Sequence, residues 1–411
     1  MLFTFAFTGY VQRTSVAIAA AQIMPELGLT QMQVGWLLTA FLFTYAAFQL
    51  PGALAGQRWG PRLTLTAVGF ATALASAMTA AAPALAAGAA LFAILLVSRS
   101  LLGIAQAALF PVGAGTIERW FPVRSWASAQ SLLVTGLWFG AASTPPLVAS
   151  LMHRYGWQWA LVAISAPSLL LVVFWFVFAR DRPAQHVAVP PEELAEVAAN
   201  PSAQRESRVT IARVLRVLTD RQILRLTVSY FSMNYVFYLV TFWGFLYLVQ
   251  DRHMTALQSG WLASVPLLVA GVAAAAGGSI ADRLRARFGD RIGMRVLPLV
   301  GLPSAALFLY LTVRLANPYW AIAALCLGFG NVEITEASFW GATMRLAPND
   351  TMAATALLNT GGNLGGVVAT PIIAALSVSH GWPAVFATGA FTALAAAALW
   401  LTIDASCAKE V

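Results

Sequence analysis

Two arginines stand inside apolar runs of the sequence, where a charged side chain is costly. Arg13 lies in YVQRTSVAIA (residues 10–19), within the run that opens the chain, and Arg99 lies in SRSLLGIAQAALFPVG (98–113). An arginine at the centre of a bilayer costs about 2.5–3.5 kcal/mol on insertion scales, so such residues generally face a cavity or a partner. A guanidinium stays charged at any working pH, and its planar fork fits a carboxylate with two hydrogen bonds. The two arginines therefore predict a site for an organic anion.

A structural role is the alternative for both arginines, which would then form ion pairs or bond helix carbonyls inside a bundle. The two interpretations stand equal for Arg99. For Arg13 substrate contact is favoured, because no acid of the first five predicted spans is placed to neutralise it, and Glu26 and Glu118 lie near the membrane edges.

Two carboxyl groups point to a different chemistry, the exchange of a proton. Glu333 and Glu336 lie in GFGNVEITEASFW (328–340), one helical turn apart on the same face, with Trp340 below them. Burial disfavours an ionised carboxyl and two close carboxyls resist double ionisation, so one of them could exchange a proton near neutral pH. We therefore hypothesise that Glu333 or Glu336 carries a coupling ion, H⁺ or Na⁺. It is equally open that the two acids balance the two arginines across a cavity. A third possibility follows, that the protein is an exchanger or a uniporter.

The elements that must position these residues are membrane spans. Hydrophobic residues make up 59% of the 411 residues, charged residues make up 10%, and the mean hydropathy is +0.75. A soluble core of this length could not hide so much apolar surface. A bilayer takes about 20 apolar residues per helix. Twelve such stretches follow one another, at about 1–22, 33–56, 63–83, 89–113, 125–150, 157–178, 224–248, 258–281, 294–313, 319–345, 351–376 and 382–403.

The charge distribution predicts the orientation of the chain. Eighteen arginines lie in or beside alternate loops, against three on the opposite side, which are Arg154, Arg252 and Arg314. By the positive-inside rule both termini and the longest loop are cytoplasmic. This asymmetry accounts for the net charge of +8 without a nucleic-acid partner, since the arginines form no single patch. The first stretch lacks the basic flank of a signal peptide, so we expect it to be a retained helix.

The chain repeats itself at an offset of 225 residues. The matched positions include Gly103 with Gly328, Gly136 with Gly361, Gly140 with Gly365, and Pro146 with Pro371. The repeat predicts two six-helix bundles of parallel topology, at residues 1–178 and 224–403, joined by a cytoplasmic linker at 179–223 and followed by a tail at 404–411. In the linker Arg208, Arg213 and Arg216 suit a helix on the anionic membrane surface or a plain lead into the seventh span. Cys326 and Cys407 differ in depth, and we expect no disulfide.

An ordered set of motifs resembles a known transporter family. QLPGALAGQRWGPR (49–62) and GGSIADRL (277–284) look like the loops after spans two and eight of the major facilitator superfamily. The wider set resembles its anion:cation symporter family, which includes sugar-acid permeases and sialin-like carriers: FLFTYAAFQLPGA (41–53), SRSLLGIAQAALFPVG (98–113), IERWFP (117–122), YGWQWA (155–160) and LLNTGGNLGGVVATPII (357–373). The resemblance implies an all-α fold of twelve transmembrane helices in two bundles.

The resemblance also locates the family's coupling acids, which this chain lacks. Sugar-acid permeases usually have Asp before the arginine of span one and Glu in span four, and those acids are thought to take up the coupling proton. Here Gln12 and Gln106 occupy those places. An amide can bond a substrate hydroxyl or an arginine but cannot titrate. Family membership therefore implies an organic-anion substrate and puts the family's proton route in doubt.

Other polar side chains at membrane depth complete the predicted substrate site. Tyr45, Gln49 and Asn363 match motif positions of the family. Further candidates from spans seven and eleven are Asn234, Tyr238 and Asn359. For Asn234 and Tyr235, interhelical hydrogen bonding is the default interpretation. The gating loops that the resemblance implies contain Arg58, Asp282 and Arg283, with Gln57 in place of the usual Asp.

These observations together predict a monomeric bacterial inner-membrane symporter that works by alternating access, with a small organic anion and the lipid bilayer as partners. No cofactor or metal is expected, because no histidine has metal-ligand spacing. An enzyme is disfavoured, since the sequence has no metalloprotease, phosphate-loop or dinucleotide signature. The alternatives are a carboxylate uniporter or exchanger and a drug-efflux antiporter. A receptor that binds without transporting is the least favoured.

Overall fold

All regular elements in the described part of the chain are helices. The computed structural model describes residues 1–121, 126–198, 217, 219–347 and 351–405. Two short elements, a 3₁₀ turn at Pro183–Gln185 and a π turn at Leu239–Trp243, accompany thirteen α-helices: α1 (Leu2–Leu27), α2 (Gln31–Leu85), α3 (Gly88–Ala107), α4 (Leu109–Trp120), α5 (Trp126–Phe178), α6 (Pro191–Ala198), α7 (Arg221–Tyr238), α8 (Gly244–Gln250), α9 (Ala256–Arg314), α10 (Pro318–Glu333), α11 (Glu336–Leu346), α12 (Thr351–Ser379) and α13 (Gly381–Trp400).

Three of the helices are double spans that kink at a glycine. The φ angle is +81° at Gly60 in α2, +80° at Gly156 in α5 and +73° at Gly289 in α9. A side chain at such an angle would be strained, and glycine adopts it freely. Each kink lies between two predicted spans, so the chain reverses there with almost no loop.

The helices account for the predicted spans. Eight segments of the described chain are long and apolar enough to cross a membrane. Two of these, with 55 and 47 residues, are each long enough for two crossings at about 1.5 Å per residue. The two remaining predicted spans coincide with α1 and with the consecutive helices α10 and α11. The all-α class predicted from the sequence is confirmed.

The described chain divides into two compact units. Unit 1 consists of Met1–Leu29 and Ala40–Arg208, and unit 2 consists of Thr30–Thr39 and Val209–Val411. In unit 2, Gln31 donates a hydrogen bond from Nε2 to Ser377 Oγ at 2.8 Å.

A close helix contact recurs in both units with the offset of the sequence repeat. In unit 1 a Cβ added to Gly140 would lie 2.5 Å from the carbonyl oxygen of Phe7, on α1. In unit 2 a Cβ added to Gly365 would overlap the carbonyl oxygen of Phe231, on α7. Glycine removes the side chain that would hold these helices apart. The same device therefore packs the fifth predicted span on the first and the eleventh on the seventh.

Several predictions fall outside the described residues. These are the surface helix with Arg208, Arg213 and Arg216 and the position of Cys407. Cys326 is buried in α10.

Candidate functional site

Arg13 lies in a cage of aromatic rings within unit 1. Its guanidinium carbon is 5.0 Å from the ring centroid of Tyr10, 5.0 Å from that of Phe41 and 4.7 Å from that of Tyr45. The side chain is 3% exposed, and Nη1 donates to the Tyr10 hydroxyl at 3.4 Å. Aromatic faces attract cations, and the attraction grows when water is excluded. The three rings therefore stabilise a buried positive charge and fix its orientation.

Arg99 shares one wall of this cage. Its guanidinium carbon is 5.1 Å from the Phe41 centroid, and Nη2 donates to the backbone oxygen of Arg13 at 2.9 Å. Arg99 Nε is buried without a hydrogen-bond partner. Both guanidinium groups thus lie within about 5 Å of one phenyl ring. A buried donor without a partner costs about 1–3 kcal/mol. An anion that accepted from this donor would recover that cost.

A glycine on α3 explains how Phe41 comes close to both arginines. A Cβ added to Gly103 would overlap the backbone oxygen of Phe41 and lie 3.0 Å from the nitrogen of Tyr45. Thr44 strengthens the contact by donating to the backbone oxygen of Ser100 at 3.1 Å. The close approach of α3 to α2 therefore builds the cage.

Gln12, a predicted substrate contact, is held by two serines. Ser76 donates to Gln12 Oε1 at 2.8 Å, and Gln12 Nε2 donates to the hydroxyl of Ser168. Gln12 is fully buried, and both ends of its amide are engaged. A substrate group would have to displace a serine to reach it.

Replacing Gln12 by leucine is therefore expected to destabilise the empty protein. The substitution would leave the hydroxyls of Ser76 and Ser168 buried without this partner, at a cost of about 1–3 kcal/mol. Thermal unfolding in detergent would measure the loss, and the double variant with Ser76→Ala would test whether the two residues are coupled. An unchanged melting temperature for Gln12→Leu would contradict the structural role.

Gln106 also bonds within unit 1. Its Nε2 donates to the backbone oxygen of Gly9 at 2.9 Å, and the side chain is 3% exposed. It lines a small cavity together with Thr8, Thr72 and Ser168. Of the other candidates on α2, Tyr45 is buried and its ring stacks on Phe41 at 5.8 Å, whereas Gln49 is half-buried.

The candidates from spans seven and eleven meet in unit 2. Tyr238 donates from its hydroxyl to Asn363 Oδ1 at 2.8 Å, and Asn363 donates to the backbone oxygen of Asn359 at 2.8 Å. Asn234 donates along its own helix to the backbone oxygen of Tyr230 at 2.9 Å. The Tyr235 hydroxyl bonds the Thr388 hydroxyl on α13 at 2.9 Å. This is the interhelical hydrogen bond that the sequence predicts for Tyr235. Tyr238, Asn363 and Asn359 thus form one hydrogen-bonded chain between α7 and α12, the polar line of this half.

The two predicted coupling residues flank an interruption between α10 and α11. Glu333 is the last residue of α10 and Glu336 is the first of α11. Between them the nitrogen of Thr335 bonds the oxygen of Val332 at 3.1 Å, three residues back, which breaks the regular helical pattern. The sequence predicts one continuous helix here. Tertiary contacts, in particular Gly277 packed against Ile334, accompany the interruption.

Glu336 has two hydrogen-bond donors on one oxygen. Its Oε1 accepts from the Tyr230 hydroxyl at 2.7 Å and from Trp340 Nε1 at 2.6 Å. Glu333 is 2% exposed, and its Oε1 has no hydrogen-bond partner. The two carboxyl groups therefore have different surroundings although they are three residues apart.

The sequence predicts gating loops at Arg58, Asp282 and Arg283, but the structure places these residues inside α2 and α9, just before the kinks at Gly60 and Gly289, because the chain reverses there almost without a loop. Arg58, Asp282 and Arg283 all face outward from their units. Asp282 pairs with Arg285 at 3.0 Å. In unit 1 the kink after Arg58 is held instead by Asp181, whose Oδ1 accepts from the nitrogen of Arg62 at 2.8 Å.

Three aromatic residues of the site were not predicted from the sequence: Tyr10, Phe41 and Tyr230. Tyr10 comes three residues before Arg13, Phe41 four before Tyr45, and Tyr230 four before Asn234. Each therefore lies one helical turn from a predicted site residue, on the same face. That spacing is the signal that would have found them. Among the described residues no group of histidine, cysteine, aspartate or glutamate could hold a metal ion.

Comparison with known proteins agrees with the fold. The chain matches the Major Facilitator Superfamily over residues 1–355. It is 28% identical to the probable sulfoacetate transporter SauU of Cupriavidus necator over 368 residues, which cover 89% of this chain and 83% of that protein. It is 25% identical to the hexuronate transporter of Bacillus subtilis over 372 residues (89% and 84% covered) and 25% identical to the D-galactonate transporter of Escherichia coli over 398 residues (93% and 89%).

Solved structures of sugar transporters share the fold at low sequence identity. The D-xylose-proton symporter superposes with a TM-score of 0.77 at 12% identity, over 100% of this chain and 98% of that one. The inward-open xylose transporter XylE of E. coli gives 0.76 at 10% identity, over 98% and 95%. The ordered motifs, the twelve spans and these similarities agree: the chain belongs to the major facilitator superfamily, resembles its anion:cation symporter family, and is a membrane transporter rather than an enzyme.

Proposed function

We propose that the protein is a secondary active transporter of a small organic carboxylate, which it moves by alternating access in symport with a cation. The observation that carries this proposal is the aromatic cage around Arg13, whose Phe41 ring also lies against Arg99. Two guanidinium groups that share one ring create a strongly positive, water-poor site. Such a site attracts a carboxylate and repels a cation.

The chemistry of the relatives supports the substrate class. Sulfoacetate, hexuronate and galactonate, which name three of the similar transporters, each contain a carboxylate. Two of the three also have several hydroxyl groups. The amides of Asn359 and Asn363 and the hydroxyl of Tyr238 are of the type that would bond such hydroxyls. We therefore assign Arg13 to the carboxylate, and we propose Tyr238, Asn359 and Asn363 as candidate partners for hydroxyl groups.

The transport cycle that we propose follows from the two-bundle architecture. The bundles at residues 1–178 and 224–403 would rock about the bound substrate, and the rocking would alternately expose Arg13 to each side of a bacterial inner membrane. Both termini would lie in the cytoplasm. The segments with Arg58, Asp282 and Arg283 would form the cytoplasmic gate. We propose that a monomer is sufficient.

A thermal-shift screen would test the substrate class. The purified protein would be heated with sugar acids, sulfonated carboxylates, aromatic acids, short monocarboxylates and cationic drugs, each at acidic and neutral pH. A ligand at a hundred times its Kd stabilises the fold by about 2.7 kcal/mol. We expect one class of carboxylate to stabilise the protein and the cations to have no effect. Stabilisation by cationic drugs alone would favour efflux and overturn the proposal.

One observation favours a second candidate, a carboxylate exchanger without a coupling ion. Gln12 and Gln106 stand where related permeases have titratable acids, and both amides are bonded within unit 1. Uptake into vesicles would separate the two mechanisms. A symporter accumulates substrate against its gradient when a cation gradient is imposed, whereas an exchanger only equilibrates labelled with unlabelled substrate.

A further inference from the structure

The two carboxyl groups at the interruption between α10 and α11 differ in hydrogen bonding. Glu336 Oε1 accepts from the Tyr230 hydroxyl and from the Trp340 indole, whereas Glu333 Oε1 is buried and bonded to nothing. Donors that point at a carboxyl oxygen favour its ionised form, and burial without donors favours the protonated form. The contacts therefore suit a carboxylate at Glu336 and a neutral acid at Glu333.

The helix dipoles favour the same two states, an ionised Glu336 and a neutral Glu333. Glu336 is in the first turn of α11, where the helix dipole stabilises negative charge, and Glu333 is in the last turn of α10, where it does not. Two carboxylates at this spacing also repel each other, so a charge on Glu336 disfavours a second charge on Glu333. Environments that separate two acids in this way are typical of a pair with divided roles.

The side chains that donate hydrogen bonds to Glu336 carry no positive charge. Tyr230 of α7 and Trp340 of α11 bond Glu336. Elsewhere in that unit, Arg252 pairs with Asp251, Arg285 with Asp282 and Arg291 with Asp404. A proton can therefore supply the positive charge that the pair needs.

We propose that Glu333 takes up and releases the coupling proton, while Glu336 remains a carboxylate that Tyr230 and Trp340 hold in place. The proposal rests on the proposed symport of a carboxylate and names its coupling site. In the cycle, a proton from water on one side binds a carboxylate oxygen of Glu333, and it leaves to water on the other side after the bundles have moved. No other bond is made or broken.

Tyr230 lies between Glu336 and α12, the helix that contains Asn359 and Asn363. A Cβ added to Gly362 would lie 2.6 Å from Cε1 of Tyr230 and 2.9 Å from Nδ2 of Asn234. The next residue, Asn363, accepts from Tyr238. A movement of Glu336 would therefore shift Tyr230 against α12 beside a candidate partner of the substrate. Tyr230 is a positioning residue in this proposal.

The test compares two transport modes of the full-length protein in liposomes. An inward gradient of one pH unit drives up to about tenfold accumulation when one proton accompanies each substrate. Glu333→Gln mimics the protonated acid permanently. We expect it to lose gradient-driven accumulation completely and to keep the exchange of labelled for unlabelled carboxylate, because exchange needs no net proton movement. Glu333→Asp, which can still titrate, is expected to keep both modes.

The control variant is Glu26→Gln. Glu26 also accepts a hydrogen bond from an indole, that of Trp157 at 2.7 Å, but it lies in unit 1 near a membrane edge. We expect the Glu26→Gln variant to accumulate substrate like the wild type. A pH indicator in weakly buffered detergent solution gives a readout without transport: carboxylate binding should change the proton uptake of the wild type and of Glu26→Gln, and not that of Glu333→Gln.

The outcomes distinguish this inference from the proposed function. Proton-driven accumulation by Glu333→Gln equal to that of the wild type would overturn the assignment of Glu333 and leave the carboxylate carrier intact. A wild type driven by a Na⁺ gradient and indifferent to pH would overturn the proton as coupling ion. A wild type that neither exchanges nor binds any carboxylate would overturn the proposed function itself.

Discussion

Arg13→Ala is expected to abolish the stabilisation that a carboxylate substrate gives to this transporter. Hydrogen bonds to charged groups contribute about 1.5–3 kcal/mol, so losing them weakens binding about 10- to 150-fold. At a concentration a hundred times the wild-type Kd, a hundredfold loss of affinity would reduce the stabilisation from about 2.7 to about 0.4 kcal/mol. Arg13→Lys should recover part of the affinity only, because an ammonium lacks the planar fork.

Arg252→Ala is the matched control for this prediction. Arg252 is a half-buried arginine whose guanidinium donates to the backbone oxygens of Leu315 and Thr312 at 2.9 and 2.6 Å, and to the Tyr247 hydroxyl. Its removal should lower the melting temperature of the empty protein and leave the ligand-induced shift unchanged. If Arg13→Ala behaved in the same way, Arg13 would be structural.

Arg99→Ala would decide between the two interpretations that the sequence left equal for that residue. Because Arg99 bonds the backbone of Arg13, a purely structural role predicts a less stable empty protein with an unchanged ligand-induced shift. A loss of that shift as well would place Arg99 in the anion site.

Gly277→Ala is expected to distort the turn that separates α10 from α11. The added methyl group would overlap the backbone oxygen of Ile334 and lie 3.0 Å from its carbonyl carbon. These are backbone atoms that cannot rotate away, so the helices must separate, at a cost of about 1–3 kcal/mol. We expect a lower melting temperature and weakened proton-driven accumulation, since Glu333 and Glu336 flank the displaced turn.

The neighbouring glycine supplies the control. A Cβ added to Gly278 meets no atom within 4 Å. Gly278→Ala should therefore leave transport unchanged and stabilise the helix by up to about 1 kcal/mol, because alanine favours helix more than glycine does. Equal melting temperatures for the two variants would show that the close contact between Gly277 and Ile334 does not contribute to the stability of the protein.

The spans, the repeat and the types of residue at the site can be predicted from the sequence alone. Apolar length decides where a helix can cross a bilayer, and this property is local to each segment. The cost of burying a guanidinium singled out Arg13 and Arg99 before any contact was known. The kinks at Gly60, Gly156 and Gly289 lie between predicted spans because the apolar runs end there.

The contacts of these residues depend on tertiary packing and could not be predicted in this way. Phe41 reaches Arg13 from another helix, and Gln12 is held by Ser76 and Ser168, which are 64 and 156 residues away in the chain. The interruption that gives Glu333 and Glu336 different partners is invisible in a sequence pattern that continues as one helix. Contacts between distant segments depend on how helices pack, and helical periodicity shows which face is buried without showing which neighbour covers it.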